Sequence, residues 1–477
     1  MIKRKSVGRS LKKNIPVKTA ILLLNDFLME DFNAIVNNLE FKENLLIITN
    51  TIVDEKQREK YGIRFMFDNL CDVKDLLKRL RVLSSENNLD FCGIAGFDEE
   101  HKYVFSKAIA DEFQLPYNSR KTLDTVSDKY LQASALKKGG VDVPDFRLVD
   151  TYLECKDFRM PCVIKPVRGI SSIHVYRCDD YDGLKATFKK LENYKSDEGI
   201  LSLAQSSSSS SPRNPVRRLS GNDAKSEEYS KSKRYHETKR FINETKRFII
   251  EEFIEGNEYS CDFLAGKEVC LLRCVKKIVS KKYFPFFEGL YLFNPDDDKD
   301  SEFSNEDLKS VCERIAKSLD ITTGICMVDF RFDKRKNRIV VIETTTRSGV
   351  DDFIGLMNTT YGYTSVNILL RQIFGTLDID SLKKIPRGTS LILYLIAQGC
   401  GTLKKFDTSG LEKLRLNGSI KGVREIIKYN DVSDTLQYLG PLKNPPMIGH
   451  VIIDNIRLKD IESTLIKVRL NVDIRIV

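Results

Sequence analysis

Histidine is scarce in this chain of 477 residues. The four histidines stand at positions 101, 174, 236 and 450, far apart in the sequence. A metal site built from imidazole groups and a catalytic triad both depend on histidine, so both kinds of site are disfavoured. The chemistry of this protein therefore has to rest on other side chains.

The sequence also lacks a CxxC pair and a long apolar run. Eleven cysteines are scattered from Cys71 to Cys400, and the closest two, Cys270 and Cys274, have aliphatic neighbours. This pattern predicts reduced thiols in a cytosol rather than disulfides or a zinc site. No apolar run approaches the ~20 residues that a membrane-spanning helix requires, so we predict a cytoplasmic protein with no membrane partner.

The net charge of +9 points to a nucleic-acid partner only until the charges are located. Residues 1–19 carry seven basic and no acidic side chains, and residues 203–247 carry 11 basic and 5 acidic ones, so the rest of the chain has a net charge of about −4. A groove that binds a polyanion needs an excess of basic side chains. We therefore predict no nucleic-acid partner.

Short apolar segments alternate with helical ones in the first part of the chain. The apolar segments cover residues 19–24, 45–49 and 91–97, with an amphipathic stretch around 73–83. This alternation predicts a parallel βαβ domain. We expect one helix over 124–138 after it, strands near the other end of the chain at 391–397 and 448–453, and a closing apolar segment at 471–477.

Residues 203–246 break this pattern. Six consecutive serines, 206–211, precede a mixture of proline, arginine, lysine and serine without apolar periodicity. Such a composition does not bury enough apolar surface to fold, so we predict a disordered or variable insertion that leads into a strand from Phe248 to Ile254.

The stretch from Cys326 to Gly349 is the most informative part of the sequence. Its first part alternates and is rich in β-formers, its middle is a charged turn, and its last part is apolar and β-branched, which predicts a β-hairpin. A turn centred on Lys336 places Asp329 directly across from Glu343.

Two carboxylates that face each other on a strand pair repel unless a cation lies between them. Oxygen ligands, with Arg347 four residues after Glu343, favour Mg²⁺ held against phosphates. The alternative is a solvated hairpin whose register separates the two acids.

Two lysines and one further strand complete the set of candidates. Lys165 ends the strand CVIKP before a short Gly/Ser loop, and Lys129 lies in the helical segment; lysines and loop amides in such places neutralise phosphates, although ordinary surface lysines are an alternative. The strand from Phe248 ends in acidic residues that include Glu258. An apolar wall with backbone polar groups suits an adenine ring, and a following carboxylate suits ribose hydroxyls.

Together and in this order, these segments resemble the ATP-grasp superfamily of ATP-dependent carboxylate ligases. The resemblance is strongest to the branch with L-amino-acid ligases and carnosine-synthase-type enzymes, and weaker to biotin carboxylase and D-alanine ligase. The segments SDKY (127–130) and VIKP (163–166) resemble the two nucleotide-binding lysine motifs. IIEEFIEGNE (249–258) resembles the adenine hinge with its ribose carboxylate, and VDF (328–330) with IETTTRSG (342–349) resembles the metal-binding strand pair.

The resemblance covers nearly all of the chain apart from the basic arm and the insertion. It implies a protein of the α/β class with an α+β ATP-grasp core. The implied parts are a flexible basic arm (1–19), an amino-terminal parallel βαβ domain (20–121), a two-lobed ATP-grasp domain (122–376) and a small carboxy-terminal α+β domain (377–477). A lid lobe at about 140–255 would contain the insertion.

The resemblance also implies a role for each matching residue. ATP would be bound by Lys129, Lys165, Ser171 and Ser172 at the phosphates, by Glu251 and Ile254 at the adenine, and by Glu258 at the ribose. Mg²⁺ or Mn²⁺ would be held by Asp329, Glu343 and Thr345. Arg347 and Lys165 would act on the reacting groups.

Two residues depart from the family pattern. Thr345 stands where the family usually has asparagine, and Ile173 with His174 replaces a small pair in the phosphate loop. Either change could lower the affinity for ATP or the activity.

The implied function is the ligation of small-molecule carboxylates and amines, such as amino acids, through an acyl phosphate, with ADP and phosphate as products. The resemblance also suggests a homodimer. The alternatives are a degenerate protein that binds nucleotide in a regulatory or scaffolding role, and a carboxylase or purine-type ligase. The aromatic stretch 283–293 fits either a substrate pocket or a core strand.

Overall fold

The computed structural model describes residues 16–25, 29–96, 103–169, 174–194, 247–279, 287–349, 356–357, 360–384, 388–420, 422–428, 430–436 and 446–477. The chain divides into two compact units. The first comprises Met1–Phe97, Val104–Tyr117 and Val366–Leu377, and the second comprises Asp98–Tyr103, Asn118–Ser365 and Asp378–Val477. The four-part division derived from the sequence stays a prediction.

The first unit contains a parallel four-stranded sheet in the order β3-β2-β1-β4. Its strands are β1 (Val17–Leu23), β2 (Leu45–Thr49), β3 (Arg64–Phe67) and β4 (Leu89–Gly96), and its helices include α1 (Met29–Asn37), α2 (Glu55–Tyr61), α3 (Val73–Asn87) and α4 (Tyr103–Glu112). In β1, Ile21 and Leu22 are both buried although they point to opposite faces, because helices cover both sides of a parallel sheet. The predicted parallel βαβ arrangement is therefore confirmed, with β3 as a strand that the sequence pattern missed.

The second unit contains two mainly antiparallel sheets that matter for the site. The small sheet has the order β5-β8-β6-β7, with β5 (Phe146–Val149), β6 (Cys162–Pro166), β7 (Tyr176–Cys178) and β8 (Phe248–Glu252). The large sheet has the order β13-β12-β9-β10-β11-β14-β18-β16. Its strands are β9 (Gly256–Ala265), β10 (Cys270–Val279), β11 (Phe287–Phe293), β12 (Gly324–Asp333), β13 (Arg338–Thr345), β14 (Ser390–Ile396), β16 (Val423–Lys428) and β18 (Met447–Asp454).

The described residues form several further elements. A three-stranded sheet joins β17 (Thr435–Leu436), β15 (Gly401–Asp407) and β19 (Asp473–Ile476). The helices are α5 (Arg120–Val126), α6 (Lys129–Lys138), α7 (Tyr181–Tyr194), α8 (Asn305–Ser318), α9 (Ser365–Ile373), α10 (Ile379–Lys384), α11 (Ser409–Leu416) and α12 (Ile461–Leu470). The two strands predicted near the end of the chain are confirmed as β14 and β18, and β19 lies within the predicted closing segment. No helix in the described ranges is long and apolar enough to cross a membrane.

The single helix predicted over 124–138 is wrong, because the structure divides it into α5 and α6. The side chain of Asp128 accepts hydrogen bonds from the backbone N–H groups of Tyr130 and Leu131. This is an N-cap, and it starts a new helix whose first residue is Lys129. The break therefore sets the position of Lys129, one of the predicted site residues.

The part of the large sheet formed by β13, β12, β9 and β10 has one apolar face and one polar face. Side chains alternate along each strand, and Tyr259, Phe330 and Phe293 lie in the hydrophobic core on one side. Their sequence neighbours point the other way. We call this opposite side the polar face; it carries Glu258, Ser260 and Asp262 from β9, Arg273 and Lys277 from β10, Asp329 and Arg331 from β12, and Glu343 from β13.

Candidate functional site

Asp329 and Glu343 lie directly opposite each other on β12 and β13, as the sequence predicts. The hairpin reaches this pairing in an unexpected way. Asp333 pairs with Arg338, so an undisturbed ladder would set Asp329 against Ile342. A β-bulge at Ile342 moves Glu343 into the facing position, and such bulges re-aim side chains at sites.

A lysine that the motifs did not reveal lies beside this pair. The Nζ of Lys277 is 2.9 Å from Oδ2 of Asp329 and 3.1 Å from Oε1 of Glu258. Burial disfavours the ammonium, but the two carboxylates outweigh burial and raise the pKa of Lys277. Lys277 is therefore a cation held between two acidic side chains.

The two facing carboxylates differ in their proton affinity. Burial raises the pKa of Asp329 despite the attraction of Lys277. Burial also acts on Glu343, but the ammonium groups of Lys129 and Lys165 outweigh it and lower the pKa of Glu343. Oδ1 of Asp329 is buried and has no hydrogen-bond partner among the described residues.

This unpartnered oxygen is an observation that fits a cation between Asp329 and Glu343. A buried carboxylate oxygen without a donor is costly, and a hard cation satisfies it. No group of three or more His, Cys, Asp or Glu side chains in the described ranges is arranged to hold a metal ion. Mg²⁺ at this place would therefore need oxygen ligands from a bound phosphate as well, and the role of the pair as metal ligands stays a prediction.

Lys129 is brought to Glu343 by helix α6. Its Nζ lies 3.0 Å from Oε1 of Glu343 and donates to the carbonyl of Gly169 at 2.8 Å. One turn further along the helix, the amide of Gln132 makes hydrogen bonds of 2.7 and 2.8 Å to the backbone of Thr344, next to Glu343. Gln132 thus holds helix α6, which carries Lys129, against strand β13, which carries Glu343.

Lys165 is paired within the small sheet. Its Nζ lies 2.8 Å from Oε2 of Glu251, and both side chains are about 95% buried, with relative exposures of 4% and 5%. Burial raises the pKa of Glu251 against the opposing effect of Lys165. The structure therefore joins a predicted phosphate lysine to a predicted hinge residue, and Ile254 is buried beyond them.

Glu258 is also occupied by basic groups. The Nη2 of Arg331 lies 2.5 Å from its Oε2, and Arg331 also donates to the carbonyl of Ile254 at 3.2 Å. Burial opposes the charge of Glu258, but Lys277 and Arg331 together lower its pKa. Arg331 lies two residues after Asp329, and that spacing placed it on the same face as the predicted site.

Thr345 and Arg347 lie in the loop after β13. The hydroxyl of Thr345 donates to the carbonyl of Arg347 at 3.2 Å, and Nη1 of Arg347 donates to the carbonyl of Ser348 at 3.1 Å. Both side chains are half-buried. Thr345 thus keeps its oxygen lone pairs for a ligand while its proton holds the loop.

Several predicted residues and segments are not part of the described site. Ser171 and Ser172, the basic arm up to residue 15 and the insertion 203–246 lie outside the described residues. In the aromatic stretch, Tyr291 and Phe293 pack in the core with stacked rings 5.2 Å apart, so these two residues belong to a core strand. All eleven cysteines are free thiols.

His174, the residue of the predicted phosphate loop that replaces a small one, is buried, and its backbone lies in the left-handed region with φ of 60°. Its Nδ1 lies 3.3 Å from the hydroxyl of Tyr176. Burial lowers the pKa of His174 from 6.5 to about 4, so the ring is neutral at physiological pH. His174 supplies no positive charge to a phosphate there.

This buried histidine predicts a pH-dependent stability. Between pH 7 and pH 4 the unfolded chain takes up a proton at this position before the folded one does, so folding weakens as the pH falls. We expect the free energy of unfolding to drop about 3 kcal/mol more in the wild type than in His174→Asn, which also tolerates the backbone conformation. Denaturant unfolding at both pH values measures this, and equal losses would contradict a buried neutral ring.

Comparisons with known proteins concern the domain and the fold of this chain. A sequence model of the ATP-grasp domain matches residues 222–354. A search of curated proteins finds no match. The fold is similar to that of an L-amino acid ligase from Bacillus licheniformis, with a TM-score of 0.66 and 18% identity over 98% of this chain and 100% of the other.

Two further solved structures have a similar fold. Phosphoribosylglycinamide synthetase from Anaerococcus prevotii gives a TM-score of 0.59 at 16% identity, over 96% of this chain and 100% of the other. The biotin carboxylase domain dimer of 2-oxoglutarate carboxylase from Hydrogenobacter thermophilus, in complex with MgADP, ADP and bicarbonate, gives 0.58 at 13% identity, over 96% and 90%. At such identities the likeness shows the fold, and the domain match shows that residues 222–354 are similar to the ATP-grasp domain, in agreement with the resemblance in the motifs.

Proposed function

We propose that this protein is an ATP-dependent carboxylate–amine ligase that forms an amide through an acyl phosphate. The observation that carries the proposal is the facing pair of Asp329 and Glu343, with the ammonium groups of Lys129 and Lys277 at 3.0 and 2.9 Å from them. Alternating charges of this kind suit a polyphosphate and a divalent cation, because each lysine can exchange its carboxylate for a phosphate oxygen.

The nucleotide would lie along the polar face of the large sheet. Glu251 and Ile254 would meet the adenine, Glu258 the ribose, and Lys129, Lys165, Ser171 and Ser172 the phosphates. Asp329, Glu343 and Thr345 would hold Mg²⁺ or Mn²⁺, which supplies charge neutralisation at the phosphate oxygens when bound. Lys277 would then leave Asp329 and donate to the transferred phosphoryl group.

The reaction has two displacement steps. A carboxylate oxygen of the first substrate attacks the γ-phosphorus of ATP, and ADP leaves. The amine of the second substrate then attacks the acyl carbon, phosphate leaves, and the amine proton passes to solvent or phosphate. Lys165, Lys277 and Arg347 act by holding oxygens that gain negative charge in both steps.

Amino acids are the substrate class to test first, because the fold is similar to that of an L-amino acid ligase. ADP release should depend jointly on one carboxylate and one amine from an amino-acid panel. Bicarbonate and an amino ribonucleotide belong in the panel, since similar folds occur in a biotin carboxylase domain and a purine-type synthetase. If no pair raises ADP above background while the protein still binds ATP, the ligase proposal fails.

Cytoplasmic location and a homodimer stay predictions.

The second candidate function is nucleotide binding without catalysis. Thr345 in place of the usual asparagine favours it. Its hydroxyl already donates to the carbonyl of Arg347. If the missing amide limits metal binding, Thr345→Asn should raise the affinity for Mg²⁺-ATP about tenfold, the effect of one hydrogen-bonded ligand group. Calorimetric titration measures this, and an unchanged affinity would argue that Thr345 is sufficient as the third ligand.

A further inference from the structure

A buried ion pair lies on the polar face of the large sheet, next to the facing residues Asp329 and Glu343 in the direction of the strands. Asp262 on β9 and Arg273 on β10 are directly opposite each other, and both side chains have 0% exposure. The Nε and Nη2 of Arg273 donate to the two carboxylate oxygens of Asp262 at 2.8 and 2.9 Å. This is a bidentate contact, which fixes both side chains.

The same carboxylate also holds the loop after β13. The hydroxyl of Ser348 donates to Oδ2 of Asp262 at 2.6 Å, and the backbone N–H of Gly349 lies 3.2 and 3.3 Å from its two oxygens. A Cβ on Gly349 would collide with Nη2 of Arg273, with Cζ at 3.2 Å, so glycine is required for this approach. Asp262 therefore anchors both residues that follow Arg347.

The position of Asp262 along β9 shows where it lies relative to the proposed nucleotide site. Ser260 pairs with Asp329, and Glu258 and Asp262 lie on either side of Ser260 on the same face. Two residues along a strand span roughly 7 Å. A nucleotide whose ribose meets Glu258 and whose phosphates meet Asp329 thus points its γ-phosphate towards Asp262.

We propose that Asp262 is a positioning residue for the ligation reaction, which holds Arg347 in place through Ser348 and Gly349. This inference rests on the proposed function and deepens it. The strands β9 and β10 are already joined by their backbone ladder, so a buried charge pair is not needed to connect them. What the carboxylate adds is the capacity to accept hydrogen bonds from Arg273 and the loop together.

Ser348→Ala tests the proposal with the smallest change, because it removes one loop anchor and leaves the ion pair intact. Thr464→Val is the matched control: its hydroxyl is buried in the same unit and donates to a backbone carbonyl, that of Asp460, at 2.8 Å. With the substrate pair found in the panel, we expect kcat of Ser348→Ala to fall about tenfold or more while KM for ATP stays within about twofold, since misplacement of a reacting group by ~1 Å costs up to 10²-fold.

Asp262→Asn is the second variant, and it should lower kcat further. Hydrogen–deuterium exchange at the Gly349 amide gives a readout that does not depend on turnover, and exchange should accelerate in both variants but not in Thr464→Val. Unchanged kcat in Ser348→Ala together with unchanged exchange at Gly349 would overturn the proposal. A wild type that exchanges slowly at Gly349 but never turns over would instead refute the proposed function, so the two failures are distinguishable.

Discussion

Glu343→Gln should lower kcat for ADP release about 10²- to 10³-fold and raise the Mg²⁺ concentration needed for half-maximal rate, because removal of one preorganised charge contact has that effect. Glu343 faces Asp329 across the hairpin and bonds Lys129 at 3.0 Å. Its lowered pKa keeps it ionised at neutral pH, so glutamine removes a full negative charge with little change in shape. ADP release measured against Mg²⁺ concentration separates an effect on the metal from an effect on the fold.

Glu302→Gln is the matched control for this change. Glu302 is a mostly buried carboxylate in the same unit and accepts hydrogen bonds from Tyr259 at 2.6 Å and Asn257 at 2.9 Å. It faces away from the proposed site, so its variant should lose stability without any change in Mg²⁺ dependence. If Glu343→Gln behaves like Glu302→Gln, the hairpin is a structural element and not a metal site.

Lys277→Met should destabilise the protein by about 3–5 kcal/mol, which is the usual cost of removing one partner from a buried charge network. Lys277 lies between Asp329 and Glu258, and without it the two carboxylates share one face with less positive charge between them. Because Mg²⁺ can replace the lost charge at Asp329, the melting temperature of the variant should rise more with Mg²⁺ than that of the wild type. Thermal unfolding with and without Mg²⁺ measures this difference.

Lys276→Met is the control for the same strand. Lys276 points to the opposite face, with its ammonium 5.9 Å from the ring centre of Tyr259. Its variant should show the same Mg²⁺ dependence as the wild type. We also expect Lys277→Met to lose about 10²-fold or more in ADP release, since one positioned donor at the transferred group is lost. A Lys277→Met protein with wild-type turnover would exclude Lys277 from the reaction.

The pairing of Asp329 with Glu343 was predictable because strand alternation and a charged turn are visible in the sequence. The sequence does not reveal how the two strands reach this pairing. The turn is centred half a residue earlier than Lys336, and the bulge at Ile342 compensates for the difference. A bulge depends on how the strand packs against its neighbours, and no local sequence signal announced it.

Lys277, Arg273 and Asp262 were missed because their roles depend on the register between strands. Lys277 follows Lys276 in an ordinary basic pair, and only the pairing of Lys277 with Glu258 brings it to the polar face. Long-range registers of this kind are set by the packing of the whole sheet. By contrast, the sequence shows Asp128 as a typical N-cap residue, and an N-cap at this position predicts the break between α5 and α6.

Transfer of isotope from the carboxylate substrate to phosphate tests the ligase account most directly. With both carboxylate oxygens labelled with ¹⁸O, the attacking oxygen ends in the released phosphate when the acyl phosphate is consumed by the amine. The account predicts one labelled oxygen per phosphate and one amide per ADP. Release of unlabelled phosphate from the same mixture would contradict it, because ATP would then be hydrolysed by water without activation of the carboxylate.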